Sequence, residues 1–186
     1  MRKTLAAGAV LLMCALSACG GSDGGGSDAS TGDKPDTSGE TTAVFDACKS
    51  ITPAEAEAVL GYPVTVEETP GGGCSWGSEE DPRLASLSVS AAGEADVNGG
   101  LEAAKAGTTA VLDGEAEDVP GLGDGAFLVI GPLKGGGGES IQAQGSILSG
   151  TQLITVGITQ LGGAAVTADA VKAQADAGLK LVGSKL

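Results

Sequence analysis

A change of composition at Cys19 decides which part of this chain can build a hydrophobic core. Residues 5–18 are apolar or small, whereas residues 20–42 hold mostly Gly, Ser, Asp and Thr, with no large apolar side chain. A segment of the second kind cannot bury enough apolar surface to offset the entropy lost on ordering. We therefore predict a disordered linker at residues 19–43 and a single folded domain at residues 44–186, an ordinary size for one domain.

The first eighteen residues have the pattern of a signal peptide, predicted at residues 1–18. Arg2 and Lys3 form a short positive segment, and the apolar run after them is shorter than the ~20 residues of a membrane-spanning helix. The run ends in the sequence LSAC at residues 16–19, which resembles the lipobox of bacterial lipoproteins. The resemblance implies that the Cys19 thiol receives a diacylglyceryl group and that the chain is cut just before it. The new amino terminus would then gain a further acyl chain such as palmitate.

Lipidation at Cys19 would decide where the protein resides. Each buried CH₂ contributes roughly 0.8 kcal/mol, so two or three acyl chains hold a protein firmly, whereas a single chain gives marginal attachment. The resemblance therefore implies a lipid anchor in the cell membrane, with the domain on the extracytoplasmic face. Two alternatives stay open: an ordinary secretory cut that leaves Cys19 unmodified, or an uncleaved anchor too short to span the bilayer.

Two of the four cysteines are left for the folded domain. Cys14 leaves with the signal peptide and Cys19 carries lipid, so Cys48 and Cys74 remain as an even pair in an oxidising compartment. Zinc coordination is disfavoured because the chain has no histidine, and the spacing is not the CxxC of redox sites. We predict a disulfide between Cys48 and Cys74. In the chain-entropy model a loop of this length contributes roughly 3–4 kcal/mol of stability.

The clearest local signal is a short helix between these two cysteines. Thr52 is a suitable N-cap, Pro53 suits the first turn, and Glu55 stands three residues after the cap, which together predict a capping box. Gly61 marks the end of this helix. Near the end of the chain, apolar residues recur at helical spacing over residues 167–182, which predicts an amphipathic C-terminal helix.

Extended segments fill much of the sequence between these two helices, with a short helix predicted at residues 101–106. Periodicity and intervening turn residues predict strands at residues 64–68, 74–76, 84–89, 126–130, 140–148 and 152–159. Neighbouring strands with short connections pair antiparallel. The prediction is an α+β fold, in which an antiparallel sheet carries the N-terminal and the C-terminal helix on one face and one disulfide is formed.

Several short motifs of the predicted domain occur together in one known family. They are Cys48, the helix start TPAE at residues 52–55, the strand GCSW at residues 73–76 and the turn GLGD at residues 121–124. With this combination the chain resembles a family of small actinobacterial lipoproteins of unknown function. More distantly, it is similar to the extracellular sensor domains of actinobacterial membrane Ser/Thr kinases. Ile51 departs from the family pattern, where leucine is frequent. The resemblance implies an extracytoplasmic α+β module and supplies no substrate.

Composition argues against several classes of function. Removing Arg2 and Lys3 with the signal peptide takes the formal net charge from −14 to −16, and such a surface repels the phosphates of nucleic acid. The absence of histidine excludes Ser-His-Asp and Cys-His catalytic sites. Carboxylates cluster at residues 67–68, 79–81 and 115–118, where the pattern favours solvated surface over a pair of catalytic acids. We therefore predict no enzyme activity, no cofactor and no metal site.

Three further features have both a structural and a ligand-binding interpretation. The glycine-rich loop at residues 131–138 favours a hairpin tip over an anion site, since it lacks the residue order of a phosphate loop. Asp124 favours a turn over a calcium ligand, because no EF-hand loop surrounds it. Trp76 stands close to Cys74, which indicates that its side chain packs against the disulfide rather than stacking on a ligand.

The lipobox, the linker and the missing catalytic residues together favour a non-catalytic domain that works by binding. It would serve as a sensor, an accessory subunit or a scaffold for another envelope protein, with the membrane as its anchor. The alternative is a carrier of a small apolar or lipidic ligand, held in a pocket between the sheet and its helices.

Overall fold

The described part of the chain begins after the predicted linker. The computed structural model describes residues 44–93, 99–135, 140–160 and 167–186. The chain divides into two units, Met1–Glu40 and Thr41–Leu186, and every described residue belongs to the second unit. The predicted signal peptide and linker, including Cys19, lie outside the described residues.

Four helices and one sheet of seven strands make up the described domain. The helices are α1 (Ala47–Ser50), α2 (Pro53–Leu60), α3 (Gly100–Val111) and α4 (Ala168–Gly183). The strands are β1 (Thr65–Thr69), β2 (Gly73–Gly77), β3 (Ser86–Ala92), β4 (Ala116–Asp118), β5 (Gly125–Pro132), β6 (Ile141–Ser149) and β7 (Gln152–Thr159). Their order across the sheet is β1-β2-β3-β7-β6-β5-β4, and every neighbouring pair is antiparallel. The predicted α+β fold is confirmed.

Helices cover both faces of this sheet. On one face, α4 contacts β5, β6 and β7, and α2 packs against α4 and β3, so the N-terminal and C-terminal helices share a face as predicted. Residues of β5 alternate between the two faces. Leu128 belongs to the large core that α4 closes, whereas Phe127 and Val129 form a second cluster with Leu101 of α3. The third helix therefore lies on the opposite face, against β5 and β6.

The helix α3 is longer than the predicted segment at residues 101–106. It continues through Thr108, which is buried, to Val111, and the next residue, Leu112, joins Phe127 in the second cluster. The prediction ended too early because Gly107 and Thr108 have weak intrinsic helix propensity. Burial of this part of the chain against the sheet offsets its low helix propensity.

Local sequence determines where α2 begins and ends. The Thr52 hydroxyl accepts a hydrogen bond from the Glu55 backbone N–H at 3.4 Å, and the Glu55 carboxylate accepts one from the Thr52 N–H at 2.9 Å. The predicted capping box is therefore confirmed. Pro53 occupies the first turn, and Gly61 ends the helix in the left-handed region with φ of 85°.

The predicted disulfide is also present. Cys48 of α1 is bonded to Cys74 of β2, with 5.2 Å between their Cα atoms. Cys74 is fully buried in the main core, so the bond fixes the start of the domain directly to the second strand.

Two glycines let α4 lie close to the sheet. A Cβ at Gly145 of β6 would stand 2.6 Å from the carbonyl oxygen of Phe127 and 2.9 Å from a Leu179 methyl carbon. A Cβ at Gly178 of α4 would stand 3.2 Å from a methyl carbon of Val156. Leu179 fills the space that Gly145 leaves and is fully buried.

Glu55 joins the end of the chain to the start of α2. Its carboxylate lies 2.6 Å from the Lys185 ammonium nitrogen. The hydrogen bond from Lys185, helped by those from Thr52, lowers the pKa of Glu55 from 4.5 to about 2.

Replacing Glu55 with glutamine is expected to lower the melting temperature at neutral pH, because the variant loses the charge that Lys185 pairs with. Folding lowers the pKa of this carboxyl, so its stabilisation is complete above pH 4.5 and is lost as the pH falls toward about 2. In thermal unfolding followed by circular dichroism, the gap between wild type and variant should close over that range. Glu115→Gln, at an exposed carboxylate, is the control. A gap that stays constant in acid contradicts the assignment.

Candidate functional site

The residues singled out in the sequence have mainly structural surroundings. Trp76 is fully buried on the same face of β2 as Cys74, within the main core, so its indole is not available to stack on a ligand. Asp124 accepts a hydrogen bond from the Gly150 N–H at 2.7 Å, which ties two turns together. The glycine-rich segment connects β5 and β6 as predicted, although residues 136–139 lie outside the described residues.

In the described part of the chain, no group of three or more His, Cys, Asp or Glu side chains is placed to hold a metal ion. Nor does any described helix have the length and apolar character needed to cross a bilayer.

One large polar surface lies on the side of the sheet opposite α2 and α4. In β3, Leu87 and Val89 are buried in the main core, so the alternating Ser86, Ser88 and Ser90 face the other way. Cross-strand pairing extends this surface over four strands. We call it the open face, and its side chains are Thr65, Glu67, Thr69, Ser75, Ser86, Ser88, Ser90, Thr155 and Thr159.

The open face is rich in hydroxyl groups and small residues. Ser75, Ser88 and Gly157 lie side by side across three strands. Ser88 and Ser90 are exposed, whereas Ser75 is half-buried. The Ser88 hydroxyl is 3.4 Å from the Gly157 carbonyl oxygen and donates to it, which leaves the Ser88 oxygen free to accept a hydrogen bond from a ligand. The open face can therefore form hydrogen bonds with a ligand or partner, and it has no apolar centre.

A groove of about 430 Å³ opens at the β1 end of this face. It forms where Gly77 has no side chain, between Thr65 and Glu67 of β1 and Ser86 of β3, with Glu79 in the loop after β2. The groove therefore combines hydroxyl groups with carboxylates.

Among the described residues, most lysines and arginines form ion pairs away from this groove. Arg83 lies 2.8 Å from Asp81, and the hydrogen bonds from its side chain hold the pKa of Asp81 at about 2. Within the described residues, no ion pair includes Glu67 or Glu79. The groove is therefore an acidic part of the open face.

The opposite side of the sheet is filled by side chains where α4 covers it. Val171, Leu179 and Ile158 have no exposed surface, and they pack into one continuous core. The groove on the open face and a second one of about 440 Å³, beside Phe45 and Lys185, both lie at the domain surface.

No protein-family model, curated protein or solved structure matches this chain. What the domain does must therefore be inferred from its own residues. The resemblance to small actinobacterial lipoproteins stays a proposal.

The open face was missed in the sequence, although a signal for it is there. The pattern of Ser86, Ser88 and Ser90 alternates with Leu87 and Val89, which marks a strand with one buried and one polar face. Leu84, Leu87 and Val89 predicted a strand at residues 84–89, which the structure places at Ser86–Ala92. Local periodicity could not show that the polar side continues onto β2 and β7, because it does not encode strand order.

Proposed function

We propose that this protein is a lipid-anchored, non-catalytic binding domain on the extracytoplasmic face of the cell membrane. The sequence supports the anchor through the lipobox-like residues 16–19 and the polar linker that follows. The open face of the sheet is the proposed docking surface, and another envelope protein is the proposed partner.

The observation that carries this proposal is the contrast between the two sides of β3. Leu87 and Val89 are fully buried, whereas Ser88 and Ser90 are exposed. The helix α3 packs against β5 and β6, at the other end of the sheet. A broad sheet surface with regularly spaced hydroxyl groups suits a partner that hydrogen-bonds over an area, and specific protein interfaces typically bury ~800 Å² per partner.

Site-specific cross-linking in intact cells tests the proposal. A photoreactive amino acid placed at Ser88, or separately at Ser90, is expected to capture the same envelope protein. Lys180 is exposed on the last turn of α4 and provides the control position. If Ser88 and Ser90 capture nothing reproducible, or the same products as Lys180, the open face is not the docking surface.

A further inference from the structure

We propose that the free edge of β1 takes up an extended, basic segment of the partner protein as an additional strand of the sheet. This inference rests on the proposed function and deepens it, because it specifies the chemistry of the partner. The strand would add beside the acidic groove, in the mode of recognition in which backbone hydrogen bonds give affinity and alternate side chains give specificity.

The position of β1 makes such an addition possible. Within the described residues β1 pairs only with β2, and it is the outermost strand on its side of the sheet. Residues 65–68 are exposed, and Val66 retains 52% of its accessible surface. An antiparallel edge strand of this kind presents unpaired backbone N–H and C=O groups to any extended chain beside it.

The two edges of the sheet differ in how their acidic residues are paired. At the far edge, the three-residue strand β4 has Glu117 at 2.7 Å from Lys172 of α4 and Asp118 at 2.6 Å from Lys105 of α3. Helices on both faces thus neutralise that edge. At β1 no described lysine or arginine forms an ion pair with Glu67 or Glu68. Glu68 does attract Lys49 of α1, since its charge adds to the larger effect of Asp46 in raising the pKa of Lys49. Glu67 is therefore the β1 carboxylate that a basic group of another molecule can best balance.

The same charges select among possible occupants of the edge. A second copy of this chain, paired through β1, would bring Glu67 and Glu68 against the same carboxylates, and like charges facing each other across strands are destabilising. These carboxylates would attract an incoming basic strand, whereas they would repel a second copy of the chain. Its residue beside Glu67 would point toward the groove that Glu79 also lines.

Strand alternation defines the pattern expected in the partner. Glu67 lies on the open face, whereas Val66 and Glu68 lie on the side of α2 and α4. A basic residue should therefore stand beside Glu67, with apolar residues beside Val66 and beside Glu68, which Lys49 already attracts. Backbone hydrogen bonds would fix the register of these three positions.

Peptide binding to the purified full-length protein in detergent tests the inference. The probe is a short peptide of alternating lysine and valine, and the matched peptide alternates glutamate and valine. The lysine peptide is expected to bind saturably, more weakly at high salt, and to slow amide hydrogen exchange at residues 65–69. The glutamate peptide is expected to do neither. Equal binding of both peptides, or protection only outside β1, overturns the proposal.

Charge-reversal variants separate a specific edge from general attraction to an acidic protein. Glu67→Lys is expected to weaken binding of the lysine peptide about fivefold or more, since it replaces an attraction by a repulsion. Glu115→Lys makes the same change of net charge at an exposed position just before β4, and should have a much smaller effect. Equal losses in the two variants refute a defined site.

The outcomes also distinguish this inference from the proposed function. If the lysine peptide protects β1 while Ser88 captures no partner in cells, the added strand stands and the open face fails as a docking surface. If Ser88 captures a partner while the peptide leaves β1 unprotected, the added strand is refuted and the open face stands.

Discussion

Replacing Cys19 with serine is expected to move the protein out of the membrane fraction. Serine has no thiol, so it cannot receive the thioether-linked diacylglyceryl group that the lipobox resemblance implies. Loss of two or three acyl chains removes the only strong membrane attachment that the sequence predicts, and each CH₂ in those chains contributes roughly 0.8 kcal/mol. The measurement is fractionation of cells expressing each form, with mass spectrometry of the N-terminal peptide.

Cys14→Ser supplies the matched control for this prediction. It removes a thiol from the same apolar segment, five positions before Cys19, and should leave both fractionation and acylation unchanged. The wild-type peptide that begins at Cys19 should carry the mass of its acyl chains. An unmodified Cys19 peptide from the wild type would refute the anchor.

Loss of the disulfide should produce the largest change in folding stability. Replacing both Cys48 and Cys74 with alanine is expected to lower the free energy of unfolding by roughly 3–4 kcal/mol, the value for a closed loop of this length. Alanine is preferred to serine because Cys74 is fully buried, and a hydroxyl there would add the cost of a desolvated polar group. Urea denaturation monitored by circular dichroism measures the difference.

A reducing agent provides an independent check of the same bond. It should destabilise the wild type by a similar amount and leave the double alanine variant unaffected. Reactive thiols at Cys48 and Cys74 in the denatured, unreduced wild type would show that these two residues are not joined.

Features set by neighbouring residues could be predicted from the sequence. The capping box of α2 uses Thr52 and Glu55, three positions apart, and Gly61 ends the same helix. The strands β6 and β7 could be predicted from short turns and from apolar periodicity. In each case the interactions that determine the structure join residues that are close together in the sequence.

Features set by distant residues could not be predicted. The helix α3 begins after Gly99, which provides no side-chain cap, and its place on the opposite face depends on Leu101 meeting Phe127 and Val129. The candidate site also depends on residues that are far apart in the sequence. Ser88 is recognisable as one side of a strand, but the free edge at β1 becomes apparent only when the order of the strands is known.

The pairing of β3 with β7 has a consequence for how the domain forms. Strands β1 to β3 and strands β4 to β7 are each connected in sequence, so each group can assemble from neighbours along the chain. Ser86 and Thr159, which face each other where the groups meet, are 73 positions apart. Closing so long a loop costs entropy before any contact repays it, so the joining of the two halves should limit the folding rate. Because α4 contacts both β7 and α2, the docking of α4 onto the sheet should accompany this joining of the two halves.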